Sequence, residues 1–220
     1  MGRGNRVAVV RKSGEAGREA IMDAAERLFA ERGVDAVSLR TINAEAGYSV
    51  AALHYHFATR DGLIRALLAR AQPPMLERRT QMTAELSALP DPPLEKIAQA
   101  LVRPMSVGLL DRRAGASRLR FLARLYFDRS PYMASMLEES VELFLPLLRR
   151  ALPGFDDHTL KRRWTFASEL AARALANAQT LHENAGSRGK LRAAELERFL
   201  QELENFIVGG LRAPIEKEQQ

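Results

Sequence analysis

Apolar residues recur along this chain at helical intervals from one end to the other. Ile21, Ala24, Ala25, Leu28 and Phe29 fall at i, i+3, i+4, i+7 and i+8, one face of an amphipathic helix. Gly33, just past Glu31 and Arg32, stands where such a helix is expected to stop. Ser38 then offers a side-chain oxygen to the free N–H groups of a short second helix, Leu39 to Ala46. Gly47 ends that helix, and Ser49 caps a third over Val50 to Phe57. Thr59 caps a fourth, with Asp61 in its first turn, where a negative charge suits the helix dipole. Pro73-Pro74 is expected to kink or shift this fourth helix, and Pro90-Asp91-Pro92-Pro93 to end it. Longer helices are predicted over 93–110, 116–129, 132–151, 157–184 and 192–212, with Pro104 bending or splitting the first of them. Gly115, Pro131, Pro153-Gly154 and Gly186-Ser187-Arg188-Gly189 separate them. There is no alternating strand pattern of useful length and no internal repeat. The pattern predicts an all-α fold: a compact N-terminal part over 14–60, a larger bundle over 61–213, and flexible ends at 1–13 and 214–220.

Two short capped helices separated by a glycine turn, Ala46-Gly47-Tyr48-Ser49, are what a helix-turn-helix requires. Ile42, Ala46, Leu53 and Phe57 can face Leu28 and Phe29 to close a three-helix core. The third helix is then free to present Val50, Ala51 and His54 to a major groove. The same spacing also fits a small three-helix domain with no DNA role, and spacing alone leaves both open.

Composition changes this picture modestly. With 46% hydrophobic and 27% charged residues, the 220-residue chain is ordinary globular material. The net charge of +6 favours an anionic partner. Arg3, Arg6, Arg11 and Lys12 supply part of the excess, and charge does not separate a DNA-touching arm from a generic basic tail. The absence of cysteine excludes disulfides and thiolate metal sites. No apolar run approaches the roughly 18–20 residues of a membrane span, and the Val7–Val10 patch is too short for a signal peptide. A cytoplasmic protein without a membrane partner is expected. His54 and His56 lie about 200° apart around a helix and cannot chelate one ion, so no metal and no cofactor are expected. No constellation of acid, base and nucleophile suggests catalysis, so no catalytic residue is assigned.

The stretches Ala24-Ala25-Glu26-Arg27-Leu28-Phe29-Ala30-Glu31-Arg32-Gly33, Val37-Ser38-Leu39-Arg40-Thr41-Ile42 and Glu45-Ala46-Gly47-Tyr48-Ser49 follow one another closely along the chain. Leu53-His54-Tyr55-His56-Phe57-Ala58-Thr59-Arg60-Asp61-Gly62-Leu63 completes them. Together they resemble the N-terminal domain of the TetR family of repressors. The resemblance implies a DNA-binding transcriptional regulator, commonly a repressor, that is a homodimer and responds to a small molecule. By position, Arg40 resembles a residue that reaches a base, most naturally guanine O6/N7. Ser38 resembles part of a phosphate clamp at a helix N-terminus. Tyr55, His56 and Arg60 fall where the family contacts backbone phosphates. The reading surface Ser49-Val50-Ala51-Ala52 is small and apolar, suited to thymine methyls, and His54 stands where tyrosine is common. Specificity is therefore expected to lean on Arg40, His54 and DNA shape.

Further along, residues 164–181 are rich in alanine, and Leu196, Phe199, Leu200, Leu203 and Ile207 share a face of the last long helix. The resemblance implies that the last two long helices form the dimer interface, which sets two reading heads about 34–36 Å apart on a near-palindromic operator. It also implies a mostly apolar pocket for a small hydrophobic effector. Met82, Met105, Phe121, Leu125, Tyr126, Met133 and Leu137 are its candidate lining, with Arg103, Arg120 or Arg124 beside Tyr126 to orient a polar group. The alternative is a DNA-binding or scaffold protein that works without an effector.

Overall fold

Capping residues and glycines set the architecture of the first sixty positions. A computed structural model describes residues 4–107, 109, 115–128 and 130–214, with side chains except at 4–13 and 134–137. Helix α1 spans Gly4–Arg32, α2 Leu39–Ala46 and α3 Val50–Phe57. Ser38 Oγ accepts from the Thr41 N–H at 3.0 Å, and Ser49 Oγ from the Ala52 N–H at 3.3 Å, which fixes the starts of α2 and α3. Gly47 closes α2 at φ 74°, a left-handed backbone that an L side chain resists. The start of α1 differs from expectation. Residues 4–13 are helical rather than a loose tail, because no proline or glycine between Gly4 and Gly14 interrupts the ladder.

The remaining helices are α4 (Arg60–Ser87), α5 (Leu94–Met105), α6 (Gly115–Phe127), α7 (Pro131–Ala151), α8 (Asp157–Ala176), α9 (Ala178–Asn184) and α10 (Ala193–Arg212). No strand occurs among the described residues. Helix α4 runs through Pro73-Pro74; both prolines are exposed, so water can reach the carbonyls they leave unpaired. Helix α5 stops at Met105, one residue past Pro104, short of the expected 110. The expected helix over 157–184 breaks at Asn177, whose side-chain amide donates to the Arg173 carbonyl at 2.8 Å and competes with the backbone. No described helix is long and apolar enough to cross a membrane.

Two apolar cores form. One joins α1, α2 and α3 through Ile21, Phe29, Ile42 and Leu53, and extends to Leu63, Ile64 and Leu67 of α4 and to Phe121 and Leu125 of α6. The other fills the bundle around Phe144 and Trp164, whose rings stack at 4.3 Å, with Leu86 of α4 and Leu119 and Ala123 of α6. Helices α4 and α6 therefore feed both cores. A boundary at residue 60 cuts through the first core rather than between the two.

The joint between α3 and α4 is strained. Ala58 sits at φ 57°, ψ −49°, and the Thr59 N–H donates to the Phe57 carbonyl at 2.6 Å, a γ-turn disfavoured for L residues. The next turn is equally tight: a Cβ on Gly62 would sit 2.1 Å from the Phe57 oxygen. Ala58→Gly is accordingly expected to stabilise the chain by about 0.5–1 kcal/mol and Ala58→Val to destabilise it, as read by urea denaturation. Equal midpoints for all three chains would remove the strain from the account.

Candidate functional site

The polar face of the helix-turn-helix is built by α2 and α3 pressing their apolar sides inward. Leu53 is fully buried and Phe57 nearly so, which leaves Ser49, Val50, Ala51, His54 and Tyr55 exposed on one outer surface with Ser38 and Arg40 of α2. Tyr55 is the most open of these, at 84% exposure. His56 is half-buried, its ring edge-on to Tyr55 at 5.1 Å. Arg40 is exposed and has no ion-pair partner among the described residues, so its guanidinium is available to an outside acceptor. Across the turn, Arg27 of α1 holds Glu45 of α2 at 2.6 Å and fixes the angle of the first two helices.

Two of the expected contacts are altered. His54 Nδ1 lies 2.9 Å from the Ala58 carbonyl, which can only accept, so Nδ1 carries the hydrogen. With Nδ1 so engaged, Nε2 is the ring nitrogen left to meet an outside group. Arg60 departs further. Its guanidinium lies over the Phe29 ring at 5.8 Å, and its Nη2 is buried without a partner. The side chain turns into the protein, a correction to its expected phosphate contact. Stacking on an aromatic face competes with solvent for a planar guanidinium, which the charge pattern alone does not reveal.

A second feature lies between α4, α6, α7 and α8. Met75 and Arg79 of α4, Leu101 and Met105 of α5, Leu119, Leu122, Ala123 and Tyr126 of α6, Met133 and Ser140 of α7, and Ser168 and Ala172 of α8 enclose a cavity of about 70 Å³. Of the expected lining, Met105, Tyr126 and Met133 are present. Met82 packs against the bundle core instead, and Phe121 and Leu125 turn to the N-terminal core, where Phe121 stacks on Phe29 at 5.9 Å. The Leu137 side chain lies outside the described residues. The three arginines expected to orient a ligand are engaged elsewhere. Arg103 pairs with Glu204 at 2.6 Å and Glu197 at 2.7 Å, Arg120 donates to the Ala176 carbonyl at 3.1 Å, and Arg124 sits 3.7 Å from Asp128.

Arg79 takes their place. It is 8% exposed, its Nε is buried with no partner, and desolvation pushes its pKa down. Tyr126 Oη and Ser168 Oγ line the same cavity and are also buried without a hydrogen bond. Burial, with the charge of Glu169, pushes the Tyr126 hydroxyl up to about 12, so it remains a donor. A signal for Arg79 does exist in the sequence. It continues the stripe Ala71, Met75, Arg79, Thr83 at intervals of four, an arginine on an otherwise inward face.

Helix α6 joins the two features. Its Arg118 reaches Glu26 of α1, which is 1% exposed and also receives Arg70 of α4 at 2.5 Å. At the other end of α4, Asp61 accepts hydrogen bonds from Tyr132 of α7 and, at 2.7 Å, from Arg65; both donors hold its carboxyl below the usual range. Elsewhere on the bundle, Phe166 and Leu170 of α8 and Phe206 of α10 are exposed around one shallow groove, floored by the buried Ile207 and Leu211 and edged by Arg163.

An exposed, capped helix-turn-helix carried on a helical bundle with a lined cavity is the architecture of a DNA-binding protein. Residues 21–67 match the model for bacterial regulatory proteins of the tetR family, and residues 99–210 match that for a tetracyclin repressor-like C-terminal domain. The chain belongs to the TetR family. It is a transcriptional regulator with a ligand-binding type of C-terminal domain; members of this family bind DNA and small molecules, act as dimers and are not enzymes. The chain is 29% identical over 163 residues to the HTH-type transcriptional repressor BepR of Brucella suis biovar 1 (strain 1330), covering 70% of this chain and 71% of that one. It is 35% identical over 85 residues to the HTH-type transcriptional regulator PksA of Bacillus subtilis (strain 168), covering 39% of this chain and 40% of that one. Among solved structures, the transcriptional regulatory protein RHA5900 aligns with 90% of this chain and 100% of its own at a TM-score of 0.61 and 18% identity. A gamma-butyrolactone receptor (ArpA-like protein) aligns over 89% and 98% at 0.54 and 20%. These last two likenesses are of fold.

Proposed function

We propose that this regulator is a repressor whose dimer holds a near-palindromic operator until a small, largely hydrophobic ligand enters the bundle cavity. In the bound state, Ser38 and the N–H groups at the start of α2 hold a phosphate, Arg40 reads a base edge, and Ser49, Val50 and Ala51 lie against thymine methyls. His54, Tyr55 and His56 complete the surface. Exposed Phe166, Leu170 and Phe206 pair α8 and α10 with their copies in a second chain, which spaces the two reading heads by about 34–36 Å. The name of BepR, a repressor covered over most of its length, favours this sign of regulation.

The observation that carries the mechanism is the double allegiance of α6. Leu119, Leu122, Ala123 and Tyr126 line the cavity, while Phe121 and Arg118 on its other side grip Phe29 and Glu26 of α1. At about 70 Å³ the cavity is smaller than the roughly 300–1,000 Å³ of ordinary ligand pockets. A ligand must therefore spread its walls, and a shift of α6 pulls on α1 through Arg118 and Glu26 and, through the pairing of Glu26 with Arg70, on α4. By linkage, DNA weakens ligand binding by the factor by which ligand weakens DNA binding.

The test begins at Arg40. In a competition shift assay the wild-type chain is expected to prefer its operator over random duplex by about 10³-fold or more. Arg40→Ala is expected to lose about tenfold to a hundredfold of operator affinity and to relax preference at one base of each half-site. Unchanged affinity and preference in Arg40→Ala would strip it of the base-reading role. Binding with no operator preference at all would make the protein a non-specific DNA binder instead.

A further inference from the structure

We propose that the bundle cavity takes a small carboxylic acid, its carboxylate received by Arg79, Tyr126 and Ser168 and its apolar body by the surrounding methionines. This rests on the reading of the cavity as the effector site and adds the chemistry of the ligand. The three groups come from α4, α6 and α8, and each lines one cavity with a buried polar atom that has no hydrogen-bond partner among the described residues. Buried polar groups are ordinarily paired, so three unpartnered atoms on residues lining one space call for a partner that occupies it.

Their chemistry is one-sided. A guanidinium N–H can only donate, and a phenol held above neutral pH and a serine hydroxyl can both donate as well. An acceptor-only group with several lone pairs satisfies all of them, and a carboxylate is the compact form of it. Charge selects further. Arg79 has no ion-pair partner among the described residues, and an unpaired buried cation is costly. One negative charge cancels it. A phosphate dianion would leave an excess that no second cation in the lining meets, and a neutral carbonyl would leave the arginine uncompensated. The rest of the lining includes Met75, Leu101, Met105, Leu122 and Met133, and flexible thioether side chains can give way to an aliphatic or aromatic body.

The experiment uses the full chain with octanoate and benzoate, each paired with its uncharged amide, in thermal-shift and calorimetric titrations. At least one acid is expected to raise the melting temperature and to bind tenfold or more tightly than its amide. Arg79→Met is expected to raise the melting temperature of the ligand-free chain by about 2–4 °C and to abolish the preference for acid over amide. Tyr126→Phe, which keeps the ring, is expected to weaken acid binding several-fold and serves if Arg79→Met does not fold. Equal binding of acid and amide, no binding by either acid, or a preference that survives both substitutions would overturn the proposal. Titrating the same acids into the labelled operator complex separates the two readings. An acid that binds with the stated preference yet leaves DNA bound upholds the carboxylate site and overturns ligand-driven release.

Discussion

Phe206→Glu is expected to leave the chain monomeric and to lower operator affinity by about 10²–10⁴-fold, the range by which linking two binding modules exceeds either alone. Phe206 is 71% exposed and Phe166 61%, unusual for side chains that each bury about 150–250 Å² when covered. They stand on α10 and α8, which pack together, and the exposed Leu170 lines the same groove. Gly209 and Gly210, also on α10, would let a facing helix approach closely. A glutamate in the middle of such a face would be stripped of water, and the one cation in the same lining, Arg163, is already engaged with the Leu211 carbonyl and the Phe155 ring, so the penalty exceeds the loss of one ring. Leu89→Glu supplies the control: this leucine is 42% exposed but lies in the loop after α4. Sedimentation velocity reads the oligomer and fluorescence anisotropy the operator affinity. A Phe206→Glu chain that sediments as a dimer with native affinity would place the interface elsewhere.

What the sequence made legible follows from how far each determinant reaches. The bounds of α2 and α3 match expectation because Ser38, Gly47 and Ser49 act on backbone groups within a few residues of themselves. The apolar period of α6 was equally clear, but it has two inward faces, and period alone does not say which core receives which. Phe121 and Leu125 therefore pass from the expected pocket to the N-terminal core, while Tyr126 and Leu122 remain at the cavity. Arginines are the hardest case. A long side chain on a helix can reach solvent, an acid, a carbonyl or an aromatic face, and its neighbours in sequence do not decide among them. Arg103 found two glutamates about a hundred residues away, Arg60 found Phe29, and Arg79 has no ion-pair partner among the described residues.

Glu26→Ala is expected to cost about 3 kcal/mol of stability, toward the lower end of what breaking a buried ion pair costs, because Arg70 keeps Asp23 at 2.7 Å and Glu19 at 3.1 Å. Among the described residues, the ion pair of Arg118 is to Glu26, at 3.5 Å. Against a total of roughly 5–15 kcal/mol for a folded domain, the loss is large enough to read as a clear fall in the urea midpoint. Glu26→Gln keeps the shape and an accepting oxygen while removing the charge, so it is expected to lose less. The ranking of the two variants separates charge from packing at this junction. The place of Glu26 gives the result its wider meaning, since one carboxylate, 1% exposed, ties α1 to both α4 and α6. If it holds the junction as argued, movement of the cavity wall is passed to the reading head through a charged contact that water cannot screen. If Glu26→Ala is as stable as the natural chain, that task falls to the stack of Phe121 on Phe29 alone, and the coupling is one of apolar packing.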